Sequence, residues 1–131
     1  MKISDFTMDA FVLKGRNAIV TGGNTGLGQA FSLALAKAGA NVMMPSIMPD
    51  DPEFNALIEA EGVRAHHLSC DLTKPDIPKR VVDECVATLG SVDILVNSAG
   101  VCKNRVFREY SRSEWDPMVA INLTAAFDMS R

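Results

Sequence analysis

Short apolar runs alternate with amphipathic stretches along this chain. Ala18-Ile19-Val20 is the centre of a strand predicted over residues 17–21, behind a Gly15-Arg16 turn. From Leu27 the apolar positions Leu27, Phe31, Ala34 and Ala38 recur at helical spacing, and Gly39 is a good C-terminal stop. Residues 41–44 read as a second strand ended by Pro45, and Pro49 and Pro52 then bracket a polar loop. Phe54, Leu57 and Ile58 form the stripe of a short helix closed by Gly62. Residues 63–68 read as a third strand. The helix after it carries Ile77, Val81, Cys85 and Leu89, with Pro78 in its first turn and Gly90 at its end. Residues 92–96 form the fourth and most apolar strand. A last helix, capped by Ser111 or Ser113, holds Trp115, Met118, Asn122, Ala125 and Met129 and still reads as helical at Arg131.

Strand–helix alternation specifies a parallel sheet with right-handed crossovers. The expected fold is α/β, a Rossmann-like doubly wound parallel sheet of strand order 3-2-1-4, cut off after the fourth helix. The first two helices are expected on one face and the next two on the other. The crevice where the order reverses lies above strands one and four. Residues 1–13 read as a loose arm and 14–131 as one incomplete domain.

At 131 residues the chain is long enough for a real core, and 47% hydrophobic with 22% charged residues reads as globular. A net charge of −3 without a Lys/Arg block argues against nucleic acid and against a membrane patch. Lys2, Asp5 and Asp9 make the amino terminus too polar for a signal peptide, and no apolar run reaches the roughly 20 residues of a membrane helix. Cys70, Cys85 and Cys102 are an odd, widely spaced set with no CxxC pair, which points to free thiols in a reduced compartment, the cytoplasm by default. No metal site is expected. His66 and His67 are adjacent on a strand and face opposite ways, so one is expected packed and one solvated.

The chemistry is concentrated in Thr21-Gly22-Gly23-Asn24-Thr25-Gly26-Leu27-Gly28, between the first strand and the first helix. Glycines let the backbone turn sharply and approach a ligand, and the unpaired N–H groups of a helix start favour an anion. Strand, glycine turn and helix start together make a phosphate site. Asp71-Leu72 follows the third strand, Asn97-Ser98-Ala99-Gly100 follows the fourth, and Asn122 stands inside an apolar helix. An amide there must find partners or cost roughly 1–3 kcal/mol.

These pieces resemble the short-chain dehydrogenase/reductase family. Thr21, Gly22, Gly26 and Gly28 match its TGxxxGxG signature, and Asn97-Ser98-Ala99-Gly100 is similar to its NNAG motif with Ser for the second Asn. Residues 118–123 are similar to the segment holding its catalytic Asn. Together the motifs fall between residues 14 and 127, and the chain looks closest to uncharacterised bacterial oxidoreductases and deoxygluconate-type sugar-acid dehydrogenases. The resemblance implies hydride transfer between a nicotinamide and an alcohol or ketone, possible substrates including a sugar or sugar acid, and a dimer or tetramer. It implies cofactor contacts along Thr21, Gly22, Asn24, Thr25, Gly26, Leu27 and Gly28, and at Ser46, Asp71, Leu72, Asn97, Ala99 and Gly100. Asp71 fits two compatible roles, helix N-cap and adenine contact. Asn97 would tie neighbouring strands, and Asn122 would hold a water that relays protons. Ser46 ends the second strand where an acid would select NAD and an Arg NADP; with Thr25 neutral and no cation nearby, the reading leans to NAD.

The family's acid/base Tyr is followed four residues later by Lys. The single tyrosine, Tyr110, is followed by Glu114 and precedes Asn122, which is the wrong order. A neighbouring carboxylate raises a phenol's pKa. The expectation is therefore the cofactor-binding part of an enzyme whose Ser, Tyr and Lys lie outside these residues, inactive by itself. A catalytically silent nucleotide-binding or interaction module is the alternative.

Overall fold

The computed structural model describes residues 7–131. Four parallel strands, β1 (Asn17–Thr21), β2 (Asn41–Ser46), β3 (Ala65–Ser69) and β4 (Ile94–Asn97), stand in the order β3-β2-β1-β4. Ala18 pairs with Val42 on one side and with Ile94 on the other, so β1 is central and wholly buried. Successive β1 side chains enter opposite faces of the sheet. Val20, with Val42 and Met44, packs on α1 (Gly26–Lys37) and α2 (Pro52–Glu59) through Ala36, Phe54 and Ile58. Ile19, with Met43 and Leu68, packs on α3 (Ile77–Leu89) and on the last helix through Val81, Cys85, Ala125 and Met129. The two-and-two distribution of helices is as the alternation predicts.

Four local expectations change. β2 does not stop at Pro45 but continues to Ser46. Pro45 lacks the N–H that would reach Val20 O, yet that carbonyl is taken by Gly23 N at 3.0 Å as the chain turns away. Pro45 O still accepts from Gly22 N at 2.8 Å, so proline fits at the one rung where no donor is needed. The second change concerns α1. Its buried residues are Gly28, Ser32 and Ala36, while Leu27 and Phe31 are exposed. Small residues face the sheet because the helix lies against the glycine turn. Third, β3 and β4 begin two residues later than their apolar runs do. Asp93, ahead of β4, instead accepts from Asn17 N and Arg16 Nη1, both at 2.9 Å. Those bonds, the Asn17 backbone donor foremost, hold its carboxyl below the usual range.

The last helix is the fourth case. Ser111 and Glu114 form a capping box at the start of α4 (Arg112–Val119). Pro117 withholds a donor inside α4, and a π turn, Ala120–Thr124, separates it from α5 (Ala125–Ser130). The π turn takes an extra residue into the spiral. Trp115 and Asn122 therefore do not share a buried face with Ala125 and Met129, and both are exposed. Of the amino-terminal arm, Met8–Phe11 form one 3₁₀ turn and Leu13 N bonds Ala38 O; residues 1–6 lie outside the described part. No helix among the described residues is long and apolar enough to cross a membrane.

Candidate cofactor cleft

A cleft of about 640 Å³ opens at the carboxyl ends of the strands, above the β1–β4 switch point. Gly22, Thr25, Gly26, Leu27 and Gly28 form its floor, and Ser46, Ile47 and Met48 close the β2 end. Cys70, Asp71, Leu72 and Thr73 follow β3 along one wall. Ser98, Ala99, Gly100 and Val101 line the β4 end, facing Pro117 and Ile121 of the last helix.

Sterics dictate two of the floor residues. Gly22 has φ +64°, and a Cβ there would stand 3.1 Å from Ala99 Cα. A Cβ on Gly28 would lie 2.1 Å from Gly22 O, so only glycine lets α1 start directly against the turn. Thr25 occupies the N-cap position of α1 but makes no side-chain cap bond, and the first turn holds no acid. The dipole and the unpaired N–H groups at this end are thus not neutralised by the protein itself.

Asp71 is the one charged residue in the wall. Its Oδ1 accepts from Thr73 Oγ1 at 2.7 Å and Thr73 N at 3.0 Å, and these bonds, with Lys74 nearby, hold its carboxyl below the usual range. Its cap closes the turn before α3, not the helix, which starts only at Ile77; the expected N-cap role is corrected accordingly. Ser46 Oγ accepts from Met48 N at 3.1 Å. Burial pushes the Cys70 thiol up, which leaves it protonated and unreactive near neutral pH.

Four residues expected at the site stand behind its walls. Thr21 Oγ1 accepts from Ser98 N and Ala99 N, each at 3.0 Å, and donates to Val96 O at 3.4 Å. Thr21 is thus the side chain that ties β1 to the β4 end. Asn97, expected to tie strands, donates instead to Ser130 Oγ at 3.0 Å and anchors α5. Asn24 is buried and donates to Pro49 O at 2.7 Å. Asn122 meets its need for partners on one residue: Oδ1 accepts from Val101 N and Nδ2 donates to Val101 O, both at 2.8 Å. Its amide therefore positions the Gly100–Val101 wall. Tyr110 lies outside the cleft, its hydroxyl donating to Lys103 O.

Sequence reasoning missed Ile47, Met48, Cys70, Thr73, Ser98, Val101, Pro117 and Ile121 as lining residues. The first six lie within two residues of positions that were singled out, so strand ends were a usable signal. Pro117 and Ile121 face the cleft only because the last helix crosses it.

The profile of the short chain dehydrogenase family matches residues 16–131. An uncharacterized oxidoreductase of Escherichia coli K12, YgcW, is 48% identical over 128 residues, which are 98% of this chain and 49% of that one. The 2-dehydro-3-deoxy-D-gluconate 5-dehydrogenase of the same organism is 38% identical over 124 residues, 95% of this chain and 49% of the relative. A short chain dehydrogenase of Mycobacterium paratuberculosis, crystallised bound to NAD, superposes with a TM-score of 0.81 at 28% identity, over 90% of this chain and 49% of that one. The chain spans about half the length of the curated relatives it matches. Fold, glycine turn, β4 segment and sequence agree, and the chain belongs to the short-chain dehydrogenase family.

Proposed function

We propose that residues 14–131 form the dinucleotide-binding part of an NAD(P)-dependent oxidoreductase that interconverts an alcohol and a ketone on a small molecule. The carrying observation is the cleft itself: backbone rather than side chain lines the floor at Gly22, Gly26 and Gly28, at the open end of α1. A Cβ on Gly28 would collide with Gly22 O and one on Gly22 would press on Ala99, so the turn stays bare, and the open space beside Gly26 at the start of α1 fits a pyrophosphate. When bound, the nicotinamide supplies the hydride acceptor or donor. Ala99 and Gly100, held by Thr21 and Asn122, border the nicotinamide end, and Asp71 borders the adenine end.

NAD is the preferred cofactor in this reading. No Lys or Arg lines the cleft, Lys74 is engaged with Asp71, and Asp50 and Asp51 follow Ser46 in the loop. A 2′-phosphate would find no cation in the cleft lining. The substrate is a small polar alcohol or ketone, in the class of sugars and sugar acids, a reading supported by the deoxygluconate dehydrogenase among the relatives. Proton transfer needs a group within hydrogen-bond reach and of suitable pKa. Tyr110 is turned to Lys103 O and Asn122 does not titrate, so these residues alone bind cofactor without turnover.

Calorimetric titration tests this. NAD should bind more tightly than NADP. Thr25→Glu, an exposed change that sets a carboxylate where the pyrophosphate lies, should weaken NAD roughly tenfold or more, the equivalent of about 1.4 kcal/mol of repulsion. Equal NAD binding by both proteins would remove the phosphate site from this turn.

A further inference from the structure

The loop of residues 47–51, between β2 and α2, closes the adenosine end of the cleft. It presents two apolar side chains, Ile47 and Met48, which are 73% and 47% exposed and line the cleft. Behind it, two consecutive carbonyls are taken by side chains from different elements. Asn24, on the glycine turn, donates through Nδ2 to Pro49 O at 2.7 Å. His67, on β3, contacts Met48 O through Nε2 at 3.1 Å. A carbonyl only accepts, so Nε2 carries the proton in this bond. The His67 side chain is 7% exposed and its Nδ1 lies 3.7 Å from Asp50 Oδ1. Its neighbour His66 turns the other way, to Glu84 at 3.2 Å.

A surface loop ordinarily leaves such carbonyls to water. The bond from Asn24 is kept although it leaves Asn24 Oδ1 buried without a partner among the described residues. It also couples the pyrophosphate floor to the loop, since Asn24 lies one residue before Thr25. We infer that His67 and Asn24 are positioning residues for cofactor binding: by holding Met48 O and Pro49 O they fix the apolar Ile47–Met48 wall against the adenosine half of the dinucleotide. Neither touches the ligand. This rests on the dinucleotide reading above and adds to it a residue of β3 that no cofactor motif contains.

The test separates the two halves of the ligand. Dissociation constants for NAD, ADP and nicotinamide mononucleotide are measured for the wild-type protein, His67→Phe, His67→Gln and Asn24→Leu, with melting temperatures alongside. Phe keeps the volume without the donor, Gln restores an N–H, and Leu keeps the shape of Asn24 without its donor or any charge. Loss of one positioning hydrogen bond should weaken ADP and NAD about five- to tenfold in His67→Phe. The mononucleotide should be unaffected, and His67→Gln should return most of the affinity. Asn24→Leu should repeat the pattern, which keeps the inference testable if His67→Phe does not fold. Wild-type ADP affinity in a folded His67→Phe, or parallel loss of ADP and mononucleotide, would overturn the inference alone. A wild-type protein that binds neither NAD nor ADP would overturn the cofactor reading and this one with it.

Discussion

Thr21 shows how a single hydroxyl can organise a site it does not line. The γ-oxygen is 3.0 Å from two consecutive amide nitrogens, Ser98 and Ala99, where the chain leaves β4 and no strand rung is available. Replacing it by the isosteric Val strips Ala99 N of its acceptor in a part-buried position, whereas Ser98 N keeps a bond to Val96 O at 3.1 Å. Thr21→Val should therefore cost about 1–3 kcal/mol in urea unfolding, and weaken NAD as the Ala99–Gly100 wall loosens. Thr21→Ser retains the oxygen and should lose less than half as much. A Thr21→Ser protein that loses more than Thr21→Val would mean that the methyl group, not the hydroxyl, carries the effect. Thiol chemistry at this scale is quiet: burial pushes Cys85 up to about 11, and Cys102 is the exposed cysteine.

At the scale of elements, the junction of glycine turn and α1 separates two reasons for glycine. Gly26 has φ +50° with open space around its missing Cβ, whereas Gly28 is blocked by the Gly22 carbonyl. Gly26→Ala should cost only the left-handed backbone strain, about 1–2 kcal/mol. Gly28→Ala must push α1 off the turn, and should reach or exceed the upper end of the about 1–3 kcal/mol typical of overpacking. Thermal melts of the two variants decide it; a Gly28→Ala protein as stable as Gly26→Ala would contradict the close helix–turn contact. The π turn is the other element with a functional consequence. It interrupts the helix where Asn122 grips Val101, so the cleft wall and the helix break are one feature.

For the whole molecule, the decisive surface lies at β4 and the last helix. Among the described residues β4 pairs only with β1, and Phe107, Leu123 and Phe127 are 78%, 66% and 63% exposed. Open strand edges and large exposed apolar side chains favour association. The 131-residue chain is expected to self-associate, with sedimentation showing mass rising with concentration, and Leu123→Lys with Phe127→Lys should reduce it. A monomer at high concentration before any substitution would sink that expectation.

Much of this protein was legible without coordinates because the relevant signals are local. A parallel sheet follows from alternating apolar runs and amphipathic stretches, and the order 3-2-1-4 from the glycine turn after the first strand of a doubly wound fold. Glycines at Gly22 and Gly28 mark the turn, since no other residue satisfies its sterics. Pairings between distant residues were not legible. The family resemblance could name Asn24, Asn97 and Asn122 as site residues, but each amide's partner comes from 25, 33 and 21 residues away. Nor could it find the π turn, which rotates one half of the last helix relative to the other. The apolar stripe misidentified α1's buried face, because contact with a glycine turn rewards small residues over large ones. Periodicity and turn chemistry are properties of neighbouring residues, so the sequence alone determined the fold and the cleft's place in it. Which side chains line that cleft and which brace it from behind depends on how separate elements meet, and only the tertiary structure decided that.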